Sequence, residues 1–560
     1  MRSRRIVSLA VVVSLTSAAA LLAACSSGSS SVSSSSGSAS VGTGSDFKVP
    51  VINVAAGDKG PDGGMELDQV TWALPGDIQK IDPAVAYDFS TAPVLAQGCE
   101  GLLRFSGAGE LIPNLATDWK AVDPTTYVYT IREGVTFWDG SPLTADDVAF
   151  SLNRILDPAT GAYASAYYAN VDAITVTGPS EVTVKLKTSD TQWKYVPAMG
   201  ATGSITSKAF VEANKDTLGD PETLNMCTGP FKFDSWTKDQ QIVMSRNDNY
   251  WNKERLPKVK KLVFKIIPDE ATQIAALNAG EIDGGPLYTF DGRTAASLDG
   301  PLNLYSSDWA AYNALYFNTT KAPWNDARVR QAMAMALDRA GVASSVYNGQ
   351  GVTIKSPIPP VMWTYEKDAY QKAYDALPAY EVDIEKAKQL VADAGATGAT
   401  STLMVDAGTN DKTALFVQQA AQQIGLDIKI FKVPFAQKTS LEYADGPKEY
   451  DMTLLTWVAD TPDPLSNILL EYNSANTVTN ISSYRNPDVD KYLGAAAVAT
   501  TDADEAANVT AAQAQIMADV PMVPVIAPNT VVPVNSRIAG FRPSTFSYWD
   551  SWAADISGTR

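Results

Sequence analysis

Histidine is absent from all 560 residues, and that omission removes whole classes of chemistry. Ser-His-Asp and Cys-His systems need an imidazole to carry a proton near neutral pH, and the common zinc sites use it as a ligand. Lysine-assisted serine chemistry survives this test. Ser235-Trp236-Thr237-Lys238 has the S-x-x-K spacing, but the match is only four residues long and no K-T-G triplet accompanies it, so it is read as coincidence. Neither a G-x-x-x-x-G-K-[ST] loop nor a G-x-G-x-x-G run occurs, which argues against a nucleotide site. The formal net charge of -18 argues against nucleic acid as a partner, because an acidic surface repels phosphates. Its plain reading is solubility outside the cell. With no complete catalytic set, metal-ligand set or cofactor motif, the residues point to binding rather than to an enzyme.

The three cysteines divide into one and two. Met1-Arg2-Ser3-Arg4-Arg5 is followed by an apolar, alanine-rich run over 6–24, then by Cys25 and a serine tract, the pattern of a secretory signal. Leu22-Ala23-Ala24-Cys25 resembles the bacterial lipobox, in which the cysteine thiol receives a diacylglyceryl group before cleavage. Cys25 is then the first mature residue, lipidated and anchored to the cell membrane, with 26–45 as a flexible tether. A transmembrane helix over the same run is the competing reading. The small residues at its end, the cysteine and the polar spacer favour the signal. No second long apolar run follows, which places the rest of the chain on the outer side of the membrane. In that oxidising compartment Cys99 and Cys227 form a disulfide or stay as buried free thiols, and spacing alone does not choose between them.

These residues need elements to position them. From about Met65 onward, strand and helix patterns alternate without repeats or low-complexity breaks. Tyr127, Tyr129 and Ile131 alternate with Val128 and Thr130 as on a pleated strand, and Gly178-Pro179-Ser180 joins two alternating runs into a hairpin within 174–186. Thr144-Ala145-Asp146-Asp147 reads as a capping box before the apolar face of Val148, Leu152 and Ile155. Helices are expected over 270–279, closing at Gly280, around Met333, Ala336 and Leu337, and along the stripe Ala387, Leu390, Val391, Ala394, stopping at Gly395. Apolar strands over 261–267, 428–433 and 451–457 lie between them. The fold class is therefore α/β with mixed sheets.

Several runs then carry a resemblance. They include Cys99-Glu100-Gly101-Leu102-Leu103-Arg104-Phe105, Arg132-Glu133-Gly134-Val135-Thr136-Phe137-Trp138-Asp139-Gly140, Thr228-Gly229-Pro230-Phe231, Arg246-Asn247-Asp248-Asn249-Tyr250-Trp251, Val329-Arg330-Gln331-Ala332 and Arg485-Asn486-Pro487-Asp488. In order and over nearly all of the mature chain, the sequence resembles the family 5 extracellular solute-binding proteins, the oligopeptide and dipeptide receptors of ABC importers. The resemblance implies a monomeric, type II-like clamshell of two lobes that needs no cofactor and meets a peptide ligand and the permease subunits. Its expected parts are the signal peptide 1–24, the lipidated tether 25–64, the first lobe 65–100 and 203–308 with an inserted subdomain 101–202, the second lobe 309–533, and a return to the first lobe over 534–560. Hinge crossings are expected near 307–315 and 531–536.

The resemblance also implies a ligand cleft. In the family's peptide receptors a tryptophan followed three residues later by an aspartate holds the peptide's α-ammonium, and Trp457 and Asp460 have that spacing. A free amine carried into a closed cleft must be paired there, and a carboxylate at a strand end does so by a charge-assisted hydrogen bond. Turn capping is the structural alternative for Asp460, and core packing for Trp457. Tyr87, Asp88 and Phe89 fall where the family offers extended backbone to the ligand, and Tyr163 matches a cleft-facing aromatic; each has a structural alternative. No arginine occurs between Arg339 and Arg485, so the bidentate carboxylate clamp of dipeptide receptors is missing and longer peptides suit the chain better. Their far carboxylate would sit in water or meet Lys412, Lys438 or Lys448. A receptor for oligosaccharides or another small solute is the alternative, and twelve tryptophans are compatible with sugar stacking.

Overall fold

A computed structural model describes residues 47–85, 88, 90–285, 295–406, 410–544, 546 and 550–560, with the backbone of Ser40–Gly42. The signal sequence, Cys25 and most of the tether lie outside the described residues. Among the described residues no helix is long and apolar enough to cross a membrane.

Local signals become elements where the chemistry demands it. Thr144 accepts from the Asp147 amide at 3.3 Å while the Asp147 carboxylate accepts from the Thr144 amide at 3.0 Å, so the capping box opens the helix Ala145–Leu156. That helix buries Val148, Leu152 and Ile155. The helix Glu270–Ala279 ends at Gly280, whose φ of +70° is the left-handed conformation that releases a chain from a helix. Strand Thr126–Ile131 buries Tyr129 and Ile131, and strand Glu181–Leu186 buries Val182, Val184 and Leu186.

Two lobes share one sheet path. Strands Phe231–Thr237, Gln241–Arg246, Lys261–Ile266 and Val70–Leu74 make the first lobe's own sheet. A second path runs from Val51–Asn53 through Leu302–Asp308, Met522–Asn535, Ala311–Phe317, Met452–Val458 and Thr400–Asp406 to Asp427–Val433. The long strand Met522–Asn535 serves both lobes. Its C-terminal half pairs antiparallel with Leu302–Asp308, and its N-terminal half with Ala311–Phe317. The partner of that strand changes between Ile526 and Asn529, and Trp309 and Ala310 join the two strands it pairs with. A separate antiparallel sheet, Ala116–Asp123, Thr126–Ile131, Glu181–Leu186 and Val171–Gly178, forms a subdomain with Ala145–Leu156.

Packing follows the same division, with one exception. Trp72, Phe541 and Trp552 anchor the first lobe's core, and Phe317, Trp324, Leu403 and Ile526 belong to the second lobe's. A further apolar cluster runs unbroken from the subdomain's Tyr129 and Trp193 to the second lobe's Tyr312, Trp457 and Tyr472. Subdomain and second lobe are therefore in contact. Cys99 and Cys227 are joined, with 2.01 Å between sulfurs and 5.0 Å between Cα atoms, pinning the end of helix Thr91–Gly98 to the segment before strand Phe231–Thr237. The chain's end is tied to the first lobe by Arg255, held by Asp550 at 3.0 Å and Asp555 at 3.1 Å.

Candidate functional site

Strand Met452–Val458 pairs with Ala311–Phe317, and the Ala459 amide donates to the Ala310 carbonyl at 2.9 Å, so the loop that follows starts at the crossing between lobes. Its far end is fixed too. Asp463 accepts from the Leu465 amide at 2.7 Å and caps the helix Pro464–Tyr472, with proline at the first helical position where no amide is needed. Asp460 projects from this short, doubly clamped loop. Tyr167 of the subdomain's 3-10 helix Tyr163–Tyr168 donates its hydroxyl to Asp460 Oδ2 at 2.9 Å, a bond that crosses from subdomain to second lobe.

Burial pushes the Asp460 carboxyl above the usual carboxylate range, and among the described residues the Tyr167 hydroxyl opposes that rise. Among the described residues no lysine or arginine pairs with it. A carboxylate drawn out of water and met by one neutral donor gains most from a cation delivered to it. Tyr163 shares this neighbourhood: its phenol is pushed up by burial and by the carboxylates of Asp460 and Asp88, although the residue as a whole is 59% exposed. The sequence reading chose Tyr163 and missed Tyr167. Both lie in one 3-10 helix, and the aromatic run Tyr163, Tyr167, Tyr168 was the available signal.

The other sequence candidates divide. Trp457 is 8% exposed and packs within the apolar cluster, opposite Tyr312 in the strand register, so packing describes its side chain. Asp88 accepts from the backbone amides of Ser90 at 2.8 Å and Thr91 at 2.9 Å, at the start of the helix Thr91–Gly98. Tyr87 and Phe89 lie outside the described residues. Two of the lysines considered for the ligand's carboxylate are committed elsewhere, a correction to that reading. Lys438 is buried against Glu442 at 2.7 Å, and Lys448 gives its ammonium to the carbonyls of Ala444, Thr477 and Val478 at 2.7 to 2.9 Å. Burial had to be satisfied locally in both cases. Lys412 remains exposed.

A family model described as bacterial extracellular solute-binding proteins, family 5 Middle, matches residues 110–478. The chain belongs to family 5 of the bacterial extracellular solute-binding proteins. Among its relatives is a probable D,D-dipeptide-binding periplasmic protein of Escherichia coli, 27% identical over 486 residues, covering 85% of this chain and 91% of that one. The heme-binding protein A of Haemophilus influenzae is 28% identical over 482 residues, covering 81% and 85%. The ABC transporter-associated periplasmic binding protein DppA of Helicobacter pylori, solved with the peptide STSA, matches with a TM-score of 0.72 at 25% identity, covering 89% of this chain and 99% of that one. The two-lobed family 5 frame accounts for the division of the sheets, and it makes the space between lobes, where Tyr167 meets Asp460, the candidate site of this solute-binding protein.

Proposed function

We propose that this chain is the extracytoplasmic receptor of an ABC importer, and that it captures peptides between its lobes and delivers them to the permease without chemical change. The observation that carries the reading is Asp460, a desolvated carboxylate on a rigid loop whose described partner is one tyrosine hydroxyl. A peptide's α-ammonium supplies the missing cation; a neutral sugar does not. One relative is named for a D,D-dipeptide and one solved neighbour holds a tetrapeptide, which supports peptides, while another relative is named for heme. With Lys438 and Lys448 engaged, the ligand's far carboxylate sits in water or near Lys412. We further propose that the lobes divide after residue 308 and in the middle of strand Met522–Asn535, that Cys25 is lipidated, and that Tyr163 and the backbone at Tyr87, Asp88 and Phe89 contact the ligand.

Asp460→Asn keeps the shape of the anchor and deletes its charge. Leaving the ligand's ammonium unpaired costs about 3–5 kcal/mol, so calorimetry with tetra-alanine should show affinity falling at least about a hundredfold. N-acetylated tetra-alanine should bind the parent poorly and change little in the variant. Equal binding of the free peptide by parent and variant moves the anchor elsewhere. Binding of a neutral oligosaccharide by both would sink the peptide assignment itself.

A further inference from the structure

The subdomain meets the second lobe at a second polar point. Lys194, in the 3-10 helix Trp193–Ala198, sets its ammonium 4.0 Å from Asp463 Oδ2, 3.9 Å from Glu505 Oε2 and 3.6 Å from Asp502 Oδ1. The same ammonium lies 5.0 Å from the ring centroids of Tyr195, on its own helix, and Tyr365, on the second lobe. The side chains of Asp463 and Glu505 are 0% and 1% exposed, and among the described residues Lys194 is the cation paired with them. Nearby, the Thr191 amide donates to the Ala497 carbonyl at 3.0 Å, again from subdomain to second lobe.

Two buried carboxylates against one lysine leave a surplus negative charge, which a closed interface tolerates only if one acid stays protonated. Burial and the neighbouring acid push Glu505 up to about 8, and burial raises Asp463 as well. The other groups around the pair do not supply the missing positive charge. Tyr127 and Tyr195 from the subdomain and Tyr365 and Tyr370 from the second lobe are held neutral by burial, Asp190 is an acid that itself pushes Tyr127 further up, and Asp502 is 60% exposed.

We propose that Lys194 is a positioning residue for the ligand anchor: by clasping Asp463 and Glu505 across the lobe boundary it seats the loop that carries Asp460, and it holds only while the acid pair keeps one proton. The role toward Asp460 rests on the peptide reading; the clasp does not. When the lobes part, both acids face water and return toward their ordinary range. The closed form therefore carries a proton that the open form loses. Closure is fully favoured below the ordinary glutamate range and is lost as pH rises through about 8. Asp460 acts with the opposite sign, since it must be ionised to hold an ammonium.

Small-angle scattering of the purified chain without ligand, at pH 6 and pH 9, reads the clasp. The parent should be compact at pH 6 and larger at pH 9. Glu505→Gln, which cannot ionise, should stay compact at both, and Lys194→Met, which leaves the acids without their cation, should be larger at both. Circular dichroism identifies a variant that fails to fold. Calorimetry with tetra-alanine then reads positioning: from pH 7 to pH 9 the parent should lose more affinity than Glu505→Gln, by up to about tenfold per pH unit, the shared loss being the peptide's own amine. A parent radius that ignores pH, or a Glu505→Gln radius that follows the parent's, overturns the clasp. If the radii behave as stated but Asp460→Asn binds tetra-alanine like the parent, or neither protein binds it, the clasp stands and the peptide reading falls.

Discussion

Glu471 lies two turns along the helix that Asp463 caps, and its environment is set against its charge. Its side chain is buried at 1% exposure; Tyr312 donates to it at 2.8 Å and Tyr316 at 3.1 Å, and burial raises its carboxyl to about 8. The folded chain therefore keeps a proton on Glu471 that the unfolded chain releases near 4.5. Stability from this group is complete below about 4.5 and drains as pH rises toward 8, at up to about 1.4 kcal/mol per pH unit. Glu471→Gln should shrink the drop in urea midpoint between pH 5.5 and pH 8, with Glu505 supplying part of what remains. A variant whose drop equals the parent's would show that Glu471 ionises freely in the fold. Single residues were also where sequence reading was weakest. Asp460 could be named from what the family resemblance implies, but Tyr167 could not, because its partner is 293 residues away.

Elements were more legible, since their signals are local. Thr144 with Asp147, Gly280, and the alternation through Tyr129 and Ile131 each act over a few residues, and the helix and strands they imply are present. Asp463-Pro464 acts as locally, a cap followed by proline at the first helical position, and it fixes the end of the Asp460 loop. The bond between Cys99 and Cys227 is different in kind, because it closes a loop with a sequence separation of 128. Breaking so long a loop restores much chain entropy to the unfolded state, typically about 2–5 kcal/mol. Cys99→Ala with Cys227→Ala should lower the urea midpoint accordingly while leaving peptide affinity near the parent's. An unchanged midpoint would mean that the buried contacts around helix Thr91–Gly98 alone set the stability of that region.

At the scale of the molecule, the long strand Met522–Asn535 pairs with Leu302–Asp308 and with Ala311–Phe317, and among the described residues the chain runs between these two halves of the sheet at Trp309 and Ala310 and within that strand. Such a joint permits rotation of one lobe on the other, and a ligand held from both sides favours the shut state to the extent that it binds that state better. Addition of saturating tetra-alanine at pH 9, where the acid pair no longer holds the lobes shut, should therefore reduce the radius of gyration. A radius that stays constant while calorimetry shows binding would rule out closure as the response to ligand.

Along the chain, short-range chemistry specifies the absence of imidazole chemistry, a mixed α/β chain and the capping and turn signals, and the family resemblance adds Asp460 as the residue to test. The tertiary structure alone decided which groups face one another. It joined Cys99 to Cys227, set Tyr167 on Asp460, removed Lys438 and Lys448 from the ligand's side, and brought Lys194 to Asp463 and Glu505. The reason is physical. Caps, turns and strand alternation are fixed by neighbours along the chain, whereas a buried charge takes its partner from whatever the fold packs against it, and that distance is not written in spacing.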